Sequence, residues 1–238
     1  MHLLDRSSLV RSTLAVVAAG TLVLGLAACS STSDSESNNT APTHPVNATE
    51  PAEESTEEPL ATIPALTGGV DTQVAVDASF VDALGTLGLT PGVVGDATFT
   101  DGTFSFPITG GNVTYYDPEG DVRPYVQGNI DHDDSGLSLT AADGTVVELS
   151  DFRIDPGKSK LYGTVTANGT IAAQDAYLFT LWGGTLEPLK TEGTNAVLEG
   201  TTVHVSPDAA ALLNATFDTD AVQDQMLVGV AKITVATQ

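Results

Sequence analysis

The sequence predicts an all-β fold, a single antiparallel β-sandwich or barrel-like domain carrying two short helices. Two observations predict it. Turn-forming residues recur at nearly even spacing, at Asp143-Gly144, Pro156-Gly157, Asn168-Gly169, Gly183-Gly184 and Gly193. The stretches between them are short and rich in β-branched and aromatic residues, as strands of a sandwich or barrel are. A nucleotide-binding α/β fold is disfavoured, because the chain has no strand-helix-strand period of about 30 residues and no Gly-rich phosphate loop.

Each predicted element has its own signal. Segment 146–154, VVELSDFRI, alternates Val147, Leu149, Phe152 and Ile154 with polar residues, with one irregularity near Ser150. Segments 161–167, 176–182, 195–205 and 227–235 show the same enrichment. Asp77 can cap a helix that places Phe80, Leu84 and Leu87 on one face and stops at Gly88 and Pro91. Ser206-Pro207-Asp208 reads as an N-cap, a proline at the first helical position and an early acid, ahead of Leu212, Leu213 and Phe217. Both helices read as lids over openings of the sheet.

The 238 residues are 41% hydrophobic, enough for one substantial core. Eight Lys and Arg stand against 31 Asp and Glu, a net charge of -23. That balance excludes a nucleic-acid binder that relies on phosphate neutralisation. The single cysteine excludes a disulfide framework and thiolate-rich metal sites.

Residues 1–28 read as a signal peptide. Arg6 and Arg11 precede an apolar run from Thr13 to Leu26. At about 1.5 Å per residue the run reaches only roughly 21 Å as a helix, short of a bilayer core of roughly 30 Å. It ends in Leu26-Ala27-Ala28-Cys29, which resembles the lipobox of bacterial lipoproteins. The resemblance implies that Cys29 is diacylglycerated and becomes the mature N-terminus. The expected location is the extracytoplasmic face of the cell membrane, with the lipid bilayer as a partner through that anchor. Residues 29–60 continue as a Ser/Thr/Pro/Glu-rich stretch with no Lys or Arg, expected to be a disordered tether. Residues 61–238 form the β-rich domain, with six basic and 23 acidic residues and a balance near -17.

Within that domain the densest polar run is 129–136, NIDHDDSG. Asp131, Asp133, Ser135 and Gly136 match positions one, three, five and six of a calcium loop, but the twelfth position, where a bidentate Glu belongs, is Ala142. The favoured reading is a β-hairpin turn between strands at 127–131 and 137–140, with a Ca²⁺ site on Asp131, Asp133 and Ser135 as the alternative. His204 lies between Val203 and Val205 in an alternating strand and should face away from them. No G-x-S-x-G elbow or H-E-x-x-H pair is present, so no catalytic residue is assigned. Trp182, Tyr115, Tyr116 and Tyr125 read first as core aromatics, and second as residues able to stack on a sugar or a flat cofactor.

The pieces Phe106 to Gly111, Gly128 to His132, Gly136 to Leu139, Val147 to Ile154 and Gly229 to Val235 resemble, in order, a pattern of secreted β-rich domains from high-GC Gram-positive bacteria. The pattern is similar to the HtaA haem-uptake domain family. That resemblance implies haem binding through a tyrosine supported by a histidine, for which Tyr125 and His132 are the candidates here. The family's opening tryptophan-containing segment with its ligand tyrosine has no counterpart, since no Tyr or Trp precedes Phe99.

The expected function is a membrane-anchored, non-enzymatic module for binding or envelope structure, without a resident cofactor and with a cell-envelope protein or glycan as partner. A carrier of haem or another small ligand is the alternative. A glycan-acting enzyme comes third.

Overall fold

The computed structural model describes residues 57–237. The leader, Cys29 and the tether up to residue 56 lie outside them. The described chain is built on one antiparallel sheet of 13 strands. In chain order these are β1 (Ala61–Ile63), β2 (Asp71–Val76), β3 (Leu89–Gly95), β4 (Thr98–Thr100), β5 (Thr103–Pro107), β6 (Gly110–Tyr115) and β7 (Val126–Ala141). There follow β8 (Val146–Asp155), β9 (Lys160–Ala167), β10 (Thr170–Trp182), β11 (Lys190–Glu192), β12 (Asn195–Val205) and β13 (Leu227–Ala236). The hydrogen-bonded order is β1-β6-β7-β8-β9-β10-β12-β13-β2-β5-β4, with β3 added to β7 and β11 to β12.

The predicted turns fall where the sequence puts them. Asp143-Gly144 joins β7 to β8, Asn168-Gly169 joins β9 to β10, and Gly193 joins β11 to β12. Pro156–Lys158 and Gly183–Thr185 are single 3₁₀ turns. The irregularity near Ser150 is a β-bulge, with a register shift between Ser150 and Arg153 and Asp151 at φ 51°.

The predicted hairpin at 131–136 is not formed. Val126–Ala141 is one continuous 16-residue strand, and Asp133-Asp134-Ser135 is a bulge within it, with Asp134 at φ 53°. The bulge divides β7 between two partners on the same edge. Residues 126–131 pair with β6, and residues 135–141 pair with β3. Beyond the bulge, Gly136 is required by a close approach, because a Cβ there would lie 2.1 Å from the Leu149 carbonyl oxygen.

The sheet curls into a half-barrel. Five strands separate β7 from β2 in the order, yet His132 and Thr72 share a hydrogen bond of 2.8 Å. Phe106 of β5 likewise meets Phe152 of β8 edge to face at 5.2 Å. Phe104, Phe106, Phe152 and Phe179 pack into the concave side around His132, and burial of this side is the main source of stability.

Both helices form with the predicted caps. In α1 (Ala78–Leu87) the Asp77 side chain accepts from the Ser79 N–H, and Gly88 closes the end in the left-handed conformation. In α2 (Pro207–Phe217) the Ser206 hydroxyl accepts from the Ala209 N–H. Neither helix contributes a residue to the large cavity of the half-barrel, and α2 packs against β10 while α1 packs against β3 and β13.

Candidate functional site

One end of the half-barrel is filled by the phenylalanine cluster. Adjoining it is a cavity of about 650 Å³. The filled and hollow regions share Ile154, Leu181, Thr201 and Ile233 in their linings. The hollow one is walled by Ile63 of β1, Val113 and Tyr115 of β6, Ile130 of β7, Leu198 of β12 and Val235 of β13. Leu186 and Leu189, beyond the second 3₁₀ turn, complete it. It forms because alternating strands from both arms of the curled sheet present apolar side chains inward with no aromatic file to fill the space.

The chain between β6 and β7 supplies the polar features. Tyr115 ends β6 and Tyr125 immediately precedes β7, and the Tyr116 N–H donates to the Tyr125 carbonyl at 2.7 Å. This closes the excursion and brings Tyr115, Arg123, Pro124 and Tyr125 to the cavity. The Arg123-Pro124 peptide is cis. The two phenol rings meet edge to face at 5.8 Å. Burial of Tyr125, reinforced by the neighbouring Tyr115, raises its pKa, while the charge of Arg123 works the other way.

No Asp, Glu, His, Cys or Lys lines this cavity. Among the described residues its lining thus holds no thiol and no carboxylate couple of the kind glycoside hydrolysis needs, and its titratable groups are Tyr115, Tyr125 and Arg123.

Tyr125 and His132 are placed differently. Tyr125 lines the cavity, whereas His132 sits among the phenylalanines at 1% exposure. The His132 Nδ1–H donates to the Phe152 carbonyl at 3.2 Å, which leaves Nε2 to accept from the Thr72 hydroxyl at 2.8 Å. Both ring nitrogens are engaged, and burial lowers the pKa to about 4, so the ring is neutral. The sequence did not separate these fates, since His132 reads as part of a polar run, although it falls on the same strand face as buried Val126 and Ile130.

The candidate calcium ligands do not converge as a loop. The Asp131 carboxylate accepts from the Asn129 side-chain amide at 2.8 Å, and that of Asp133 accepts from the Thr109 hydroxyl at 3.1 Å. Ser135 is fully buried and donates to the His132 carbonyl. Among the described residues no group of three His, Cys, Asp or Glu side chains is placed to hold a metal ion.

Two aromatic placements also differ. Tyr115 is buried as expected, but Trp182 is 62% exposed at the end of β10 instead of packing in the core. His204 points away from buried Val203 and Val205, as alternation requires, and its Nδ1 meets the Gln225 carbonyl. What sequence reasoning missed is the cavity itself and Arg123 beside it. The juxtaposed Tyr115, Arg123 and Tyr125 around a ten-residue excursion were the available signal.

No protein-family profile matches the chain. No curated protein matches it either. Among solved structures, it is similar to the haem-binding protein HtaB from Corynebacterium glutamicum, at 12% identity over 74% of this chain and 96% of that one, with a TM-score of 0.44. The N-terminal domain of HtaA from the same organism is similar at 13% identity, covering 71% of this chain and 97% of that one, TM-score 0.44. The C-terminal domain of HtaA is similar at 17% identity over 71% of this chain and 98% of its own length, with a TM-score of 0.48.

Proposed function

We propose that this protein is a non-enzymatic carrier whose half-barrel holds one small apolar molecule, presented at the extracytoplasmic membrane surface by the Cys29 anchor. The observation that supports it is the cavity of about 650 Å³, apolar on nearly every side and lined by no carboxylate or histidine among the described residues. Composition and motifs favour an envelope-binding or structural module over a carrier. The cavity reverses that order, because a domain with a purely structural role gains stability from filling such a space.

Haem, which the sequence resemblance implies, fits this wall in one respect. Tyr125 lines the cavity and would hold the iron, with Tyr115 edge-on beside it. His132 does not fit as its supporting histidine, because it lies outside the lining and both of its ring nitrogens are committed. When bound, haem would supply an iron centre for the phenolate. Loss of the Tyr125 proton is resisted by burial, so iron would have to displace it.

Titration of residues 30–238 with Nile red should give saturable 1:1 fluorescence enhancement. Ala196, on the cavity wall, is the place to block it. Ala196→Phe should weaken binding about tenfold or more, equivalent to roughly 1.4 kcal/mol. Equal affinity in both proteins would remove the carrier reading. Haem is tested in parallel by its Soret band. A saturable shift that Tyr125→Phe abolishes and His132→Gln retains is the expected pattern for a Tyr125-held haem, and no shift removes haem.

A further inference from the structure

We infer that Arg123 is the anion-recognition residue of the cavity. Its ligand is then an amphiphile, with an apolar body against Val113, Ile130 and Leu198 and an acidic group on the Arg123 guanidinium. The inference rests on the carrier reading and narrows it to a ligand class.

The charge pattern is the first argument. Of the 29 charged residues in the domain from residue 61 onward, 23 are acidic. Yet among the described residues no carboxylate lines the cavity, and the one charged lining residue is a cation. A domain with so few basic residues places one of them in the lining of this apolar cavity.

The hydrogen bonds of Arg123 are the second argument. Nη1 donates to the Val122 carbonyl at 2.8 Å and Nη2 to the Pro118 carbonyl at 2.9 Å. These bonds orient the guanidinium without neutralising it, and a guanidinium has five N–H donors in all. Among the described residues no carboxylate lies within ion-pair distance of Arg123, although Asp117, Glu119 and Asp121 share its loop. The nearest acids have other work. Asp117 accepts from the Glu119 N–H, and Glu57 accepts from the Asp121 and Val122 N–H groups. Arg123 is an exposed residue of the cavity lining, and an oriented guanidinium with no ion-pair partner among the described residues matches a carboxylate or phosphate in shape and charge.

The shared chemistry is an acid on an apolar body, and it has two sources, an acyl chain or a porphyrin with propionates. Two matched pairs separate them: cis-parinaric acid with its methyl ester, and protoporphyrin IX with its dimethyl ester, each titrated by fluorescence into residues 30–238. In at least one pair the acid should bind about tenfold or more tightly than the ester. Arg123→Gln should abolish that preference while leaving ester affinity unchanged. The pair that shows the preference identifies the source. Equal binding of acid and ester by the unsubstituted protein overturns the role of Arg123 and leaves the carrier reading standing. Binding of neither member of either pair overturns both. Equal loss of acid and ester in Arg123→Gln would show that Arg123 only holds its loop, and would also overturn the inference.

Discussion

His132 shows how one side chain can bind the two arms of a curled sheet together. It sits on β7 and accepts from Thr72 on β2, with five strands between them in the sheet, while its other nitrogen holds Phe152 on the neighbouring strand. Burial holds the ring neutral, and the neutral ring makes both bonds with its proton on Nδ1. A depressed histidine pKa has a definite consequence for stability. The unfolded chain binds the proton near the ordinary value of 6.5 and the folded one only near 4, so between those values the unfolded state carries more protons. The stability that His132 contributes is therefore complete above about pH 6.5 and is lost as pH falls through about 4. The full effect is on the order of 3 kcal/mol, at about 1.4 kcal/mol per pH unit. Urea unfolding of the wild type and His132→Gln between pH 7 and 4 isolates it from the many carboxylates, which both proteins share. The stability advantage of the wild type should shrink by that amount on acidification, and parallel curves would sink the assignment.

At the scale of elements, the two helix caps look alike in sequence but differ in setting. Ser206 is fully buried, accepting from the Ala209 N–H at 3.0 Å and donating to the Tyr177 carbonyl at 2.6 Å, so it ties α2 to β10. Asp77 caps α1 through Ser79 alone, on a more open surface. Ser206→Ala should cost about 2 kcal/mol, a lost cap plus a buried carbonyl left unpaired, and Asp77→Ala should cost less. Thermal melts of the two variants give the order, and a reversed order would contradict the burial argument. Both caps, every turn named in the sequence and the bulge near Ser150 were legible because each is fixed by neighbours within a few residues. The 131–136 segment was not. Asp-Asp-Ser-Gly supplies left-handed conformers equally well to a hairpin turn and to a bulge, and the choice falls to β3 and β6, which pair with either half of β7 from distant parts of the chain. The cavity was illegible for the same reason, since its walls come from both ends of the sequence. Of the two candidate haem-binding residues, Tyr125 lines the cavity while His132 lies in the packed core, on the same strand face as Val126 and Ile130, a face the polar run 129–136 disguises in the sequence.

At the scale of the whole molecule, the fold and the address are separable. The packed core lies within residues 57–237, so the domain is expected to fold without the leader. A domain balance near -17 repels anionic headgroups and works against docking flat on the bilayer, so the proposed attachment would rest on the N-terminal segment. Two acyl chains on Cys29 would provide that attachment, since one chain alone binds a membrane only marginally. Among the described residues no helix is long and apolar enough to cross a membrane. Metabolic labelling with a tagged fatty acid should therefore mark the wild type and not Cys29→Ala, and the mature wild-type chain should begin at residue 29. Cys29→Ala should keep its leader, yet its domain should melt at the same temperature and bind Nile red with the same affinity. Equal labelling of the two proteins would refute the lipobox. A lowered melting temperature in the substituted protein would refute the independence of the domain from its anchor.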